Sequence, residues 1–156
     1  MGVSVSAAWP DRLRRLLPGL WAGLLLCVGL LAAPAAFALL APADAGRLVG
    51  RLFAQEAYAS LVLGAALLIL ERVAARHGAT QGQGTQFSTG MVLALGTLFC
   101  TVAGYFGLLP MMAQARLGQG PLSFGQLHAV TAAFFAIKTG LVLALAWRAA
   151  GATAQA

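Results

Sequence analysis

The charges of this chain fall at intervals that leave four long apolar stretches between them, and that spacing decides what it can fold into. A helix needs about 20 apolar residues to cross roughly 30 Å of hydrocarbon. The first stretch, from about Leu17 to Ala41, has no ionisable side chain other than Cys27. The second runs from Phe53 to Leu70, just before Glu71 and Arg72, and holds one carboxylate, Glu56. The third, Phe87 through Pro110, carries no charge, and the last, Phe124 to Trp147, contains His128 and Lys138. Strands of a membrane barrel would show short alternating segments instead. The spacing predicts an all-α fold: an integral membrane four-helix bundle forming a single domain over residues 1–156, with helices at about 17–41, 45–76, 87–112 and 123–148.

Composition agrees. Apolar residues make up 60% of the chain and charged ones 9%, against about 25% charge in soluble domains. A water-soluble fold of 156 residues could not hide so much apolar surface. The net charge of +6 raises the question of nucleic acid, but every basic residue except Lys138 sits at a helix end. Assigning the connecting segments alternately to two sides puts Arg12, Arg14, Arg15, Arg72, Arg76 and Arg148 on one and Arg47, Arg51 and Arg116 on the other. The richer side faces the cytoplasm. Both termini are therefore expected in the cytoplasm, in a multi-pass protein of a bacterial inner membrane. The lipid bilayer is its partner, and nucleic acid is not.

Arg12, Arg14 and Arg15 ahead of a Leu-rich run, with Ala36-Phe37-Ala38 behind it, imitate a signal peptide. The apolar run is about twice the usual length of such a signal, so an uncleaved first helix is expected. Cys27 and Cys100 lie inside apolar runs, where a thiol behaves as a small hydrophobe. Neither has a Cys or His close by in sequence, which gives no support to a disulfide or metal pair.

Proline and glycine punctuate the chain. Pro18 sits near a helix start, where a missing N–H costs little, whereas Pro34 lies deep in the first helix and predicts a kink or an early end. Pro42, Ala43 and Asp44 read as an outer turn with Asp44 as N-cap of a helical stretch running through Arg51 into the second span, and Ser123 reads as the N-cap of the last helix. His77 to Gln86, made of Gly, Thr and Gln, is expected as a flexible cytoplasmic linker with His77 in water. Small residues permit close helix approach in lipid. Gly19 with Gly23, Ser60 with Gly64, and the stripe Gly96, Cys100, Gly104 suit either a tight bundle or a homo-oligomer built on Gly/Ala-rich faces.

Polar residues inside the spans need a reason, because ionisable groups there are expensive and face a bundle interior. Counting at 1.5 Å per residue puts Glu56, Tyr105 and His128 each about 4 to 8 Å below the outer boundary. Ser60, Thr101 and Thr131 repeat the pattern one turn deeper on the same helix faces. This predicts a polar cluster in the outer half of the bundle, with Glu56 and His128 as its ion or hydrogen-bond pair. Glu56 near the surface could alternatively meet Arg51 or Arg116. Lys138 lies about 15 Å further along the helix that carries His128, leans back toward its N-terminus, and should face the bundle near Thr97 and Gly64. Such residues either fix helix register or bind and pass a proton, an ion or a small ligand. Met91, Met111 and Met112 lack the tight spacing of a copper site. No enzyme signature appears. With His77 in a loop, two histidines of one chain cannot hold haem, and the sequence implies no cofactor.

The segment Thr101-Val102-Ala103-Gly104-Tyr105-Phe106-Gly107-Leu108-Leu109-Pro110, followed by Phe124-Gly125-Gln126-Leu127-His128-Ala129-Val130-Thr131, resembles the small bacterial relatives of transmembrane protein 205. So does the start of the second span, Leu52-Phe53-Ala54-Gln55-Glu56-Ala57. His128, Thr131 and Pro110 fit that pattern. The Asn expected after the His is absent, with Phe134 and Phe135 in that stretch, and Ala54 replaces a Pro. The resemblance implies a four-helix membrane fold and an uncharacterised activity. Three functions follow for testing: a non-enzymatic membrane protein whose polar cluster fixes the fold, a small transporter or proton or metal-ion conduit lined by Glu56, His128 and Lys138, and a haem- or metal-binding redox protein that shares His128 between two chains.

Overall fold

The computed structural model describes residues 8–80 and 87–151, apart from the side chains of Ala8, His77 and Thr80. Within them lie four helices long and apolar enough to cross a membrane. The segment 81–86, which makes up most of the expected linker, and the side chain of His77 fall outside the described residues.

The first helix starts at Ala8 and reaches Leu39 in three parts: α-helix over Ala8–Leu26, a π-helical stretch over Cys27–Ala32, and α-helix again over Ala33–Leu39. Pro34 explains the middle part. Its ring would strike the carbonyl four residues back in an α-helix and it donates no hydrogen bond. Widening the preceding turn to π geometry moves that carbonyl away. The expected early end is thus replaced by a wide turn, and the chain leaves the helix only at Leu40, which is extended at φ −115° and ψ 155°.

The second helix, Pro42–Thr80, is 39 residues long. At 1.5 Å per residue it measures about 58 Å and must project beyond the hydrocarbon. Pro42 to Asp44, expected as a capped turn, are instead its first turn. Pro42 occupies the first position, where its fixed φ suits the helix, and Asp44 pairs with Arg47 one turn on.

In the third helix, Ser88 is the N-cap and accepts a hydrogen bond from the Met91 amide at 3.2 Å. This helix repeats the design of the first. Thr89–Thr101 is α, Val102–Gly107 is π, and Leu109–Arg116 is α with Pro110 near its start. The connection that follows turns at Gly118 (φ 71°) and Gly120 (φ 100°), a left-handed conformation that glycine adopts without penalty. The fourth helix, Phe124–Gly151, opens with a capping box in which the Gln126 amide donates to Ser123 Oγ and the Ser123 amide donates to Gln126 Oε1.

The four helices alternate in direction. Arg14, near the start of the first, bonds Glu71 near the end of the second. Ser88, just ahead of the third, donates to the same carboxylate. Leu145 and Arg148 of the fourth line a cleft with those residues. The beginnings of helices one and three and the ends of two and four therefore share one end of the bundle, here the terminal end. Each helix packs against its neighbours in chain order and the fourth closes on the first, so the second and fourth lie diagonally opposite. Trp21, Ala22, Leu25, Leu67 and Val142 form the apolar core, with Leu17, Leu63 and Phe135 against it. Leu20, Val62, Ile69, Val92, Phe99 and Leu143 point outward, an apolar exterior suited to lipid as solvent.

Among the small-residue patterns, Gly96 and Gly104 meet the fourth helix, at Leu141 and Phe134, and Gly64 meets Leu98 and Trp21. Gly19 and Gly23 face open space.

Candidate functional site

Glu56 and Lys138 meet across the diagonal of the bundle. Lys138 Nζ donates to Glu56 Oε1 at 2.7 Å and to Oε2 at 2.9 Å. Both side chains are almost fully buried, at 2% exposure for the acid and 4% for the base. Their meeting follows from helix geometry. Glu56 is fourteen residues past Pro42 and Lys138 fourteen past Phe124, so in two helices that run the same way each sits about 21 Å from its helix start. A lysine is long enough to bridge the gap that the diagonal leaves.

The carboxylate has two further supports. Ser60, one turn beyond Glu56, donates its hydroxyl to Oε1. Trp21 of the first helix donates its indole N–H to Ser60 Oγ at 2.9 Å. A single relay, Trp21 to Ser60 to Glu56 with Lys138 closing it, thus joins the first, second and fourth helices. Lys138 Nζ also stands 5.1 Å from the centre of the Phe135 ring, which a cation favours in a water-poor site. Among the described residues every buried side-chain nitrogen and oxygen has a partner, as an unpaired one in lipid would cost several kcal/mol.

The pairing expected for Glu56, with His128, is not the one that forms. The expected depth takes Phe53, three residues before Glu56, as the membrane boundary, although the helix itself is expected from 45 and in the structure starts at Pro42, fourteen residues before the acid. It reaches the level of Lys138, halfway along the 28-residue fourth helix, and the cluster is central instead of confined to the outer half. His128, four residues into its helix, is exposed and stacks on Phe124 with centroids 5.9 Å apart. Arg116 lies over the same ring at 4.7 Å.

Three more expected members serve their own surroundings. Thr101 is buried and donates to the Thr97 carbonyl at 2.9 Å. Thr131 donates to the Leu127 carbonyl at 3.0 Å. Tyr105 is half-buried, its ring edge-on to Phe106 at 5.1 Å. Of the seven residues, the structure brings together Glu56, Ser60 and Lys138. It adds Trp21, which sequence reasoning passed over. With the first span counted from Leu17, Trp21 lies about 6 Å inside it, where an interfacial tryptophan is ordinary, and only the helix start at Ala8 sets its indole deep enough to need a buried acceptor.

Phe134 and Phe135 form a second feature. Each π stretch has a glycine as its third residue, Gly29 in the first helix and Gly104 in the third. A Cβ built at Gly29 would lie 2.8 Å from the Phe135 ring, and one at Gly104 would lie 2.5 Å from the Phe134 Cβ. Two consecutive phenylalanines of the fourth helix therefore dock into the wide turns on either side of it. Phe135 also meets Phe53 edge-on at 5.1 Å.

At the terminal end a smaller polar group holds three helices. Arg14 Nε donates to Glu71 Oε1 at 2.9 Å, and Ser88 Oγ to Oε2 at 3.0 Å. Gly90 leaves the space that the carboxylate fills. No three His, Cys, Asp or Glu side chains gather as a metal site among the described residues.

Fold and site together define a multi-pass α-helical membrane protein with a charge pair at the centre of its bundle. The chain belongs to the family described as Domain of unknown function (DUF4149), whose model matches residues 16–120. No curated protein and no solved structure matches it. The matched stretch takes in most of the first helix, the second and the third, with Glu56. Lys138 and His128 lie beyond it.

Proposed function

We propose that this is a non-enzymatic inner-membrane protein, similar to the bacterial relatives of transmembrane protein 205, whose central charge pair sets helix register and so presents a rigid bundle to membrane partners. Both termini face the cytoplasm in this reading, in keeping with the arginine excess at the terminal end. The outward Gly19 and Gly23 offer a face for a second copy of the chain. The supporting observation is the saturation of the pair: Lys138 and Ser60 occupy the acid, and Trp21 occupies the serine. A diagonal pair with these partners holds one register, because a slip of one residue in the second or fourth helix rotates a charge out of the bundle by about 100°.

A double-mutant cycle in detergent, combined with proton flux in proteoliposomes, tests this. Glu56→Gln and Lys138→Met should each lower the melting midpoint sharply, since breaking a buried pair costs about 3–5 kcal/mol. The combined variant should recover much of the loss. Wild-type proton flux that disappears in Glu56→Gln without loss of stability would replace this reading with the conduit.

A further inference from the structure

The cleft at the terminal end has no part in the central pair. It encloses about 280 Å³ and is lined by residues of all four helices, with Pro18, Leu67 and Leu145 as apolar walls. Three arginines, Arg14, Arg15 and Arg148, and two acids, Asp11 and Glu71, complete it. The acids are engaged: Glu71 by Arg14 and Ser88, Asp11 by Arg14 at 3.4 Å. Arg15 and Arg148 are exposed, and among the described residues neither has a carboxylate partner. Two unpaired guanidinium groups from adjacent helices thus converge on one cleft that keeps a net positive charge. Planar forks of this kind match the oxygens of a phosphate group.

We infer that this cleft binds the phosphate of an anionic phospholipid headgroup, with Arg15 and Arg148 as its principal contacts. Lipid is favoured over a soluble phosphate by what surrounds the rim. Trp9 and Trp147 stand exposed at the same end, the position of an interfacial aromatic belt, which sets the arginines at headgroup height. Leu16, Leu20 and Leu143 lie exposed nearby on the same two helices and provide an apolar track for acyl chains. Basic pockets between membrane helices are suited to anionic headgroups. The inference does not depend on the role of the Glu56 pair, and it holds for either leaflet.

The test is native mass spectrometry of the full chain released from detergent with phosphatidylglycerol or phosphatidylcholine. Wild-type protein should retain phosphatidylglycerol preferentially. Arg15→Gln with Arg148→Gln should weaken retention about thirtyfold, or about fivefold for each arginine near a headgroup. Arg148→Gln alone provides the fivefold step should the double variant prove hard to prepare. Arg12→Gln with Arg72→Gln, at the same end but outside the cleft, should change retention by less than the single Arg148 variant. Equal loss in both double variants, or unchanged retention in the Arg15 and Arg148 pair, overturns the site. Millimolar inorganic phosphate that displaces the lipid completely also overturns it, in favour of a soluble anion.

Discussion

Alanine at Gly104 should destabilise the bundle, and the structure indicates by how much. A Cβ there would lie 2.5 Å from the Phe134 Cβ and 3.0 Å from its Cγ, whereas carbon atoms pack at about 3.5–4.0 Å. The third and fourth helices must part locally by about 1 Å or more. No rotamer of Phe134 helps, because its Cβ is fixed by the backbone. Overpacking costs about 1–3 kcal/mol, and a clash between two Cβ atoms belongs at the upper limit. Replacing a helical glycine by alanine returns about 0.5–1 kcal/mol. The net loss is about 2 kcal/mol, or about 4–8 °C in melting midpoint for a chain of this size. At Gly29 the neighbour is the far end of a ring, which can turn aside, so Gly29→Ala should lose less than half as much. In the detergent-dispersed monomer Gly23, with nothing within 4 Å, should gain. Thermal melts in one detergent, read by intrinsic fluorescence, give the order Gly23→Ala, wild type, Gly29→Ala, Gly104→Ala from most to least stable. A Gly104→Ala melting point at or above wild type would refute the docking of Phe134 into the wide turn.

The other contacts make their own predictions. Trp21→Phe removes the donor to Ser60 and also leaves a cavity where the fully buried indole stood, so in the same melt it should cost more than the about 0.6 kcal/mol that is average for a hydrogen bond between membrane helices. Glu71→Gln removes a partly exposed pair and should cost no more than about 1 kcal/mol, with a difference from wild type that shrinks in high salt. His128→Ala, an exposed ring stacked on Phe124, should melt within about 0.5 kcal/mol of wild type. A larger loss would mean that the histidine has a buried partner.

The apolar spacing made the four helices legible, because lipid imposes the same length on every span. It did not show where along a helix the hydrocarbon begins when the residues beyond it are also helical. The second helix, expected from 45, runs through Arg47 and Arg51 from Pro42, and setting the boundary at Phe53, after those charges, carried Glu56 to the wrong height and the wrong partner. Lys138 was legible as bundle-facing from its lean toward the helix start. Its partner could not be found without knowing that the second and fourth helices lie diagonally opposite. The wide turns were half visible. Pro34 announced a disturbance, but whether a helix bends, ends or widens depends on what fills the space, and that was Phe135 from another helix.

The fourth helix organises the other three through three positions within about one turn. Phe134 enters the wide turn of the third helix, Phe135 that of the first, and Lys138 reaches Glu56 on the second. These positions cannot lie on one narrow stripe, since neighbouring residues are about 100° apart around the helix. They spread over the inward half, so a single turn of sequence fixes the fourth helix in both rotation and height against every neighbour. This accounts for charge at the centre of an otherwise apolar bundle. In lipid, apolar side chains gain little by choosing one another over the solvent, and the two rings alone would tolerate small shifts along the helix axis. A two-armed bond from Lys138 to Glu56 does not.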